Sequence, residues 1–224
     1  MTMTEERSTT TTAAEQFWRT SGIVGMVLGV GSLIASTIIQ WFMQPSDPAG
    51  TPIDVAQQNP TLWLVVALLG VLGPLVWVAG IVSITLLVRT RGWTLTTVGG
   101  YLTAAGLIAG VGHLALFFGL MTDAAGAGLD AKTGMSLLGA DDASFLSPAL
   151  LYCFLIGFSL GPILLTIGLR RAKLLPVWVP VAAIVMVVAS FVGGVPAGIV
   201  QLIALVATFG PMVFVLAKQR ETPA

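Results

Sequence analysis

The chain has 224 residues, 56% hydrophobic and only 9% charged, with a formal net charge of zero and one cysteine. Soluble domains carry about 25% charged residues, so the composition excludes an ordinary soluble domain and points to the membrane class. Balanced charge offers no basic surface for nucleic acid, and a lone cysteine excludes an internal disulfide.

Residues 1–20, opening "MTMTEERSTTTTAAEQ", are polar and Thr-rich and read as a disordered tail. Six charge-free apolar runs follow, at 21–43, 62–88, 94–122, 146–169, 177–194 and 196–217. A spanning helix needs about 20 such residues. The first run is too long for a signal h-region and no small-x-small cleavage site follows it, so it reads as a retained helix. After it, Asn59-Pro60-Thr61 fails as a glycosylation site because proline occupies the middle position. The loop 123–145 carries four aspartates, expected to be solvated, with Asp142 or Ser144 capping the fourth helix and "GMSLLG" at the membrane interface. The fifth run is the shortest, and residues 218–224 form a second tail.

The predicted fold is therefore an all-α integral membrane protein, with a six-helix domain at 21–217 arranged as three hairpins. Nine of the ten basic residues fall on one side of a six-pass chain: Arg7, Arg19, Arg89, Arg91, Arg170, Arg171, Lys173, Lys218 and Arg220. The other side holds Lys132 and six aspartates. This asymmetry predicts both termini in the cytoplasm and a plasma (inner) membrane location. Trp18, Trp93 and Trp178 then lie at inner edges, and Trp41 and Trp63 at outer ones.

Segments two, four and six each begin with proline (Pro60, Pro148, Pro196) and carry a Gly-Pro pair 14, 14 and 15 residues later. Helix kinks are expected at Pro74, Pro162 and Pro211. The odd segments echo one another as well. "GMVLGVGSL" and "GLIAGVGHL" share G-x-x-x-G-V-G-x-L, and "AIVMVVASF" keeps small residues at matching offsets. The pattern predicts a duplicated two-helix unit, with small faces that let backbones approach closely.

That alignment places Ser32, His113 and Ser190 at one height, facing the interior. His113 is the only histidine, and an ionisable residue in a span is a functional candidate. With Gln201 these residues are the candidates for a ligand path; a neutral imidazole bonded across helices is the competing reading. Cys153 reads as a buried small hydrophobe. No carboxylate lies in the runs, so proton- or sodium-coupled transport lacks its usual residue. No catalytic residues, metal ligands or cofactor are assigned. The leading expectation is a non-enzymatic scaffold or accessory subunit of a membrane complex, its partners being the bilayer and a membrane protein or second copy of the chain. The alternative is a carrier or channel for a small neutral or lipophilic molecule.

Overall fold

The computed structural model of the chain describes the backbone of residues 2–43 and 50–218, with side chains from Gln16 onward except Asp142. Among these residues the secondary structure is helical throughout, and no strand occurs. The helices are α1 (Thr2–Phe42), α2 (Pro52–Gln58), α3 (Pro60–Leu86), α4 (Trp93–Gly126), α5 (Ala131–Asp142), α6 (Leu146–Arg171), α7 (Trp178–Val192) and α8 (Gly194–Lys218).

Among the described residues, five helices are long and apolar enough to cross a membrane: Gln16–Phe42 within α1, and α3, α4, α6 and α8. The sixth, α7, is apolar but has only 15 residues. At 1.5 Å per residue it spans about 22 Å, short of a hydrocarbon core about 30 Å thick. Gly193 and Gly194 end it, both at positive φ (75° and 77°), a region that suits glycine. Helical backbone begins at Thr2, where composition points to a disordered tail. The tail beyond Lys218 lies outside the described residues.

α1 packs chiefly on α3, α4 on α6, and α7 on α8; α3 also meets α4, α6 meets α7, and α8 returns to α1. One end of this bundle is basic. Gly22 of α1 lies against Ser83 of α3 and Leu216 of α8, while Gly92 before α4 lies against Gly168 and Arg171 of α6. These contacts gather Arg19, Arg89, Arg91, Arg170, Arg171, Lys173 and Lys218 at that end.

The two short helices cover the opposite end. Thr51 and Asp54 form a capping box at the start of α2: the Thr51 backbone N–H donates to Asp54 Oδ2 at 2.7 Å, and its hydroxyl does so at 2.8 Å. Of the two residues expected to cap the fourth span, the Asp142 side chain lies outside the described residues and Ser144 precedes the N-cap, Phe145; the loop's described capping aspartate is Asp130. It caps α5, accepting the Thr133 N–H at 2.7 Å, while α6 has no side-chain cap. Hydrogen bonds to the charged form hold both carboxyls below the usual carboxylate range. The Gln57 side chain donates to the Leu129 carbonyl at 3.0 Å, tying α2 to the chain just before α5.

The interior divides into two apolar clusters. One fills the basic half, around Met26, Trp77, Leu165, Met186, Phe209 and Met212. Trp77 lies edge-on to Phe209 (centroids 4.7 Å) and to Phe158 (5.7 Å), and its indole N–H donates to Met26 Sδ at 3.1 Å. The other lies under α2, around Ile53, Val55, Trp63, Val66, Phe118 and Met121. Trp63, expected at an outer edge, stands in the first turn of α3 and is buried here against Phe117 and Phe118.

Candidate functional site

Glycines set how the long helices meet. Gly73 precedes Pro74, and Gly80 follows it by six residues; a Cβ at Gly73 would strike Ser32, and one at Gly80 would come within 2.9 Å of the Met26 backbone. On α6 the same spacing returns: Gly161 meets Thr103 and Gly168 meets Thr96. Both segments read G-P-x-x-x-x-x-G, "GPLVWVAG" and "GPILLTIG", and α8 continues the pattern with alanine as "GPMVFVLA". Each glycine makes room for a hydroxyl or another glycine on the partner helix. All three helices run unbroken through their prolines, with Pro162 buried and Pro74 and Pro211 half-buried.

This packing equates Ser32 with Thr103, and not with His113. Gly25 meets α3 beyond Pro74, at Val76–Gly80, whereas Gly106 meets α6 before Pro162, at Gly157–Phe158. The G-x-x-x-G-V-G-x-L echo is thus out of step by about ten residues, nearly three helical turns. The reason is that close backbone approach, not sequence likeness of one partner, sets the register of a helix pair. The signal that could have found it is the glycine seven residues after the Gly-Pro glycine in α3 and in α6, Gly80 and Gly168.

The candidate residues consequently occupy separate places. Ser32 lies between α1 and α3, its hydroxyl donating to the Gly29 carbonyl at 2.8 Å. His113 is half-buried between α4 and α6, with Nδ1 3.4 Å from the buried Ser147 hydroxyl. Ser190 is exposed and bonds its own helix, donating to the Val187 carbonyl at 2.7 Å. Gln201 is half-buried on α8. Cys153, read as buried, is exposed on the apolar surface. The buried threonines are committed as well. Thr103, Thr166 and Thr208 each donate to a carbonyl four residues back at 2.7 Å. This pairing satisfies the hydroxyls without a partner helix.

The seam between the two apolar clusters holds a cavity of about 270 Å³. Leu33, Trp77, Leu107 and Phe158 close it from the basic-end cluster, and Val66, Leu114, Phe117 and Phe118 from the cluster under α2. With Leu69, Gly70, Pro74, Gly110 and Phe154 the apolar wall is complete. Trp77 aside, the polar side chains lining it all come from α1: Ser36, Thr37 and Gln40. The buried Ser36 hydroxyl donates to the Leu33 carbonyl at 3.0 Å. Of the three Gly-Pro sites, only Pro74 lines this cavity. α4 contributes Gly110 and Leu114, while His113 between them turns to Ser147 on α6. The volume falls just under the range of drug-sized pockets, about 300–1,000 Å³, and the aromatic wall suits an apolar guest. Among the described residues, the lining carries no acid, base or thiol.

No protein-family model matches the chain, and no curated protein or solved structure shows significant similarity to it.

Proposed function

We propose that the protein is a non-enzymatic, six-span protein of the plasma membrane that binds, and carries or senses, a small lipophilic molecule in the cavity beside Pro74. The observation that carries this reading is a partly open, aromatic-lined cavity between α1, α3, α4 and α6, with the polar groups of its lining, Trp77 aside, on one wall only. Such a lining favours a molecule that is apolar over most of its length and has one hydrogen-bonding end. The alternative class foreseen from sequence thus gains support over the scaffold. The small-residue faces that a partner helix would need are used within the chain: Gly25 and Gly29 on α3, Gly106 and Gly110 on α6.

Three antiparallel pairs, α1–α3, α4–α6 and α7–α8, with α7 extended by its flanking residues, give six crossings. The basic end then faces the cytoplasm by the positive-inside rule. The shared Gly-Pro motif supports a duplicated pair, in the register set by Gly73/Gly80 and Gly161/Gly168.

A bromo-alkanol of about eight carbons tests the cavity, because bromine quenches indole emission and Trp77 lines the wall. In mild detergent, quenching should contain a saturable part that Trp77→Phe removes. Quenching that never saturates, or that survives Trp77→Phe unchanged, would overturn the reading. The accessory-subunit reading draws on a different surface, an apolar notch between α7 and α8 flanked by Ala189, Pro196 and Ala197. Ala197→Trp would fill that notch; release of a bound partner without loss of bromo-alkanol quenching would favour the scaffold.

A further inference from the structure

At the basic end, α1, α3 and α8 line a second space, a partly open recess of about 270 Å³. Its wall is built from Trp18 and Arg19 of α1, Ser83 and Leu86 of α3, Arg89 just past α3, and Leu216 of α8. The space shares no residue with the Pro74 cavity. Its base is tight, since a Cβ at Gly22 would strike Ser83 and come within 3.4 Å of Leu216. The Ser83 hydroxyl donates to the Trp18 carbonyl at 2.8 Å, so the two helix ends are pinned where the site forms.

Arg19 and Arg89 thus line one recess, and among the described residues neither has a carboxylate partner and none of the wall is acidic. Like charges in a partly dry cleft repel unless an anion joins them. Arginine presents a planar fork of donors that matches phosphate oxygens two at a time. Beside the cations, Trp18 and Leu86 remain exposed, forming an apolar surface continuous with the helix flanks. A soluble anion would have no use for that surface, whereas an acyl chain would lie along it. The geometry points to a binding site for an anionic phospholipid, its phosphate held between Arg19 and Arg89 and a chain running past Trp18 and Leu86. Basic recesses between helices at the cytoplasmic face are suited to such headgroups.

The test uses the full-length protein in mild detergent, titrated with dioleoyl-phosphatidylglycerol or dioleoyl-phosphatidylcholine and read by native mass spectrometry. Wild type should retain phosphatidylglycerol in preference to phosphatidylcholine. Arg19→Gln/Arg89→Gln should weaken phosphatidylglycerol retention by about thirtyfold, about fivefold for each basic residue near a surface. Arg170→Gln/Arg171→Gln, at the same end but outside the cavity, should leave it within about twofold. Arg19→Lys/Arg89→Lys keeps both charges, so it should hold most of the preference and guards against misfolding of the Gln variant. Equal retention of the two lipids by wild type, an unaffected Arg19→Gln/Arg89→Gln protein, or an equal loss in the Arg170/Arg171 control would overturn the assignment. Millimolar inorganic phosphate separates the sources. If it raises the melting temperature through both arginines while phosphatidylglycerol shows no preference, the site takes a soluble phosphate and the lipid is ruled out.

Discussion

Gly29 and Gly31 belong to one short motif yet meet different surroundings. A Cβ on Gly29 would fall against Trp77, 2.9 Å from its Cα, whereas one on Gly31 would meet nothing within 4 Å. Gly29→Val should therefore force α1 and α3 apart at a cost of about 1–3 kcal/mol, the usual penalty for overpacking. Gly31→Val should be neutral. Melting temperatures in detergent decide it, and equal losses in the two variants would refute the assigned faces. Trp63 offers a second contrast. Its indole N–H is buried and has no partner among the described residues, at a cost of about 1–3 kcal/mol, while that of Trp77 reaches Met26. Trp63→Phe removes the unpaired group as it opens a small void, and the two effects oppose one another. Trp77→Phe loses both a bond and packing, so it should be the more destabilising by chemical or thermal denaturation. The reverse order would mean that Trp63 has a polar neighbour.

At the level of elements, the apolar helices are legible in sequence because an uncharged run of about 20 residues leaves few alternatives to a span. Every expected run has its helix, with ends within a few residues from the second run on, and the shortest run corresponds to the shortest apolar helix, α7. The two short helices are not legible, since α2 has seven residues and is held by Ile53, Val55 and Ala56 packing beneath it rather than by propensity. Its start was nonetheless signalled by "TPID", a Thr-x-x-Asp capping box with proline at the first turn. Asp54 titrates below the usual carboxylate range because the Thr51 N–H and hydroxyl stabilise its charge. Its contribution is present above the unfolded value and lost as pH falls through the folded one. Amide protection in α2, corrected for intrinsic exchange, should accordingly drop on acidification through that range. Asp54→Asn should flatten the response; an unchanged pH dependence in that variant would remove Asp54 as its cause. The orientation of the elements is tested with an impermeant thiol reagent on a Cys153→Ala background. Gly92 is a poor labelling site, because its φ is +88° and a side chain would strike Gly168. Thr90→Cys, which is exposed, should stay unlabelled from outside intact cells while Ala131→Cys reacts. Labelling of Thr90→Cys from outside would invert the topology.

For the whole molecule, the arrangement follows from where backbones can approach. Paired glycines draw α1 onto α3 and α4 onto α6, and large aromatic groups then fill the basic half around Trp77. What remains is the seam beside Pro74. No single stretch of sequence contains this cavity, because its wall takes residues from four helices and its position depends on a register that the G-x-x-x-G-V-G-x-L echo misreports by about ten residues. Pro74 was visible as a landmark, whereas Ser32, His113 and Ser190 do not converge on one site. On this reading the seam is a binding site and not a packing defect. Gly70 tests it most directly, since it lines the cavity and a Cβ there meets only Phe118 and Leu114, at ordinary contact distances of 3.5 and 3.7 Å. Gly70→Leu should fill the cavity while keeping or raising the melting temperature. Organic extracts of the two proteins, purified in the same mild detergent and compared by mass spectrometry, should show a lipophilic compound at near-stoichiometric amount with wild type and its loss with Gly70→Leu. An equally stable Gly70→Leu protein carrying the same compounds in the same amounts as wild type would contradict the account.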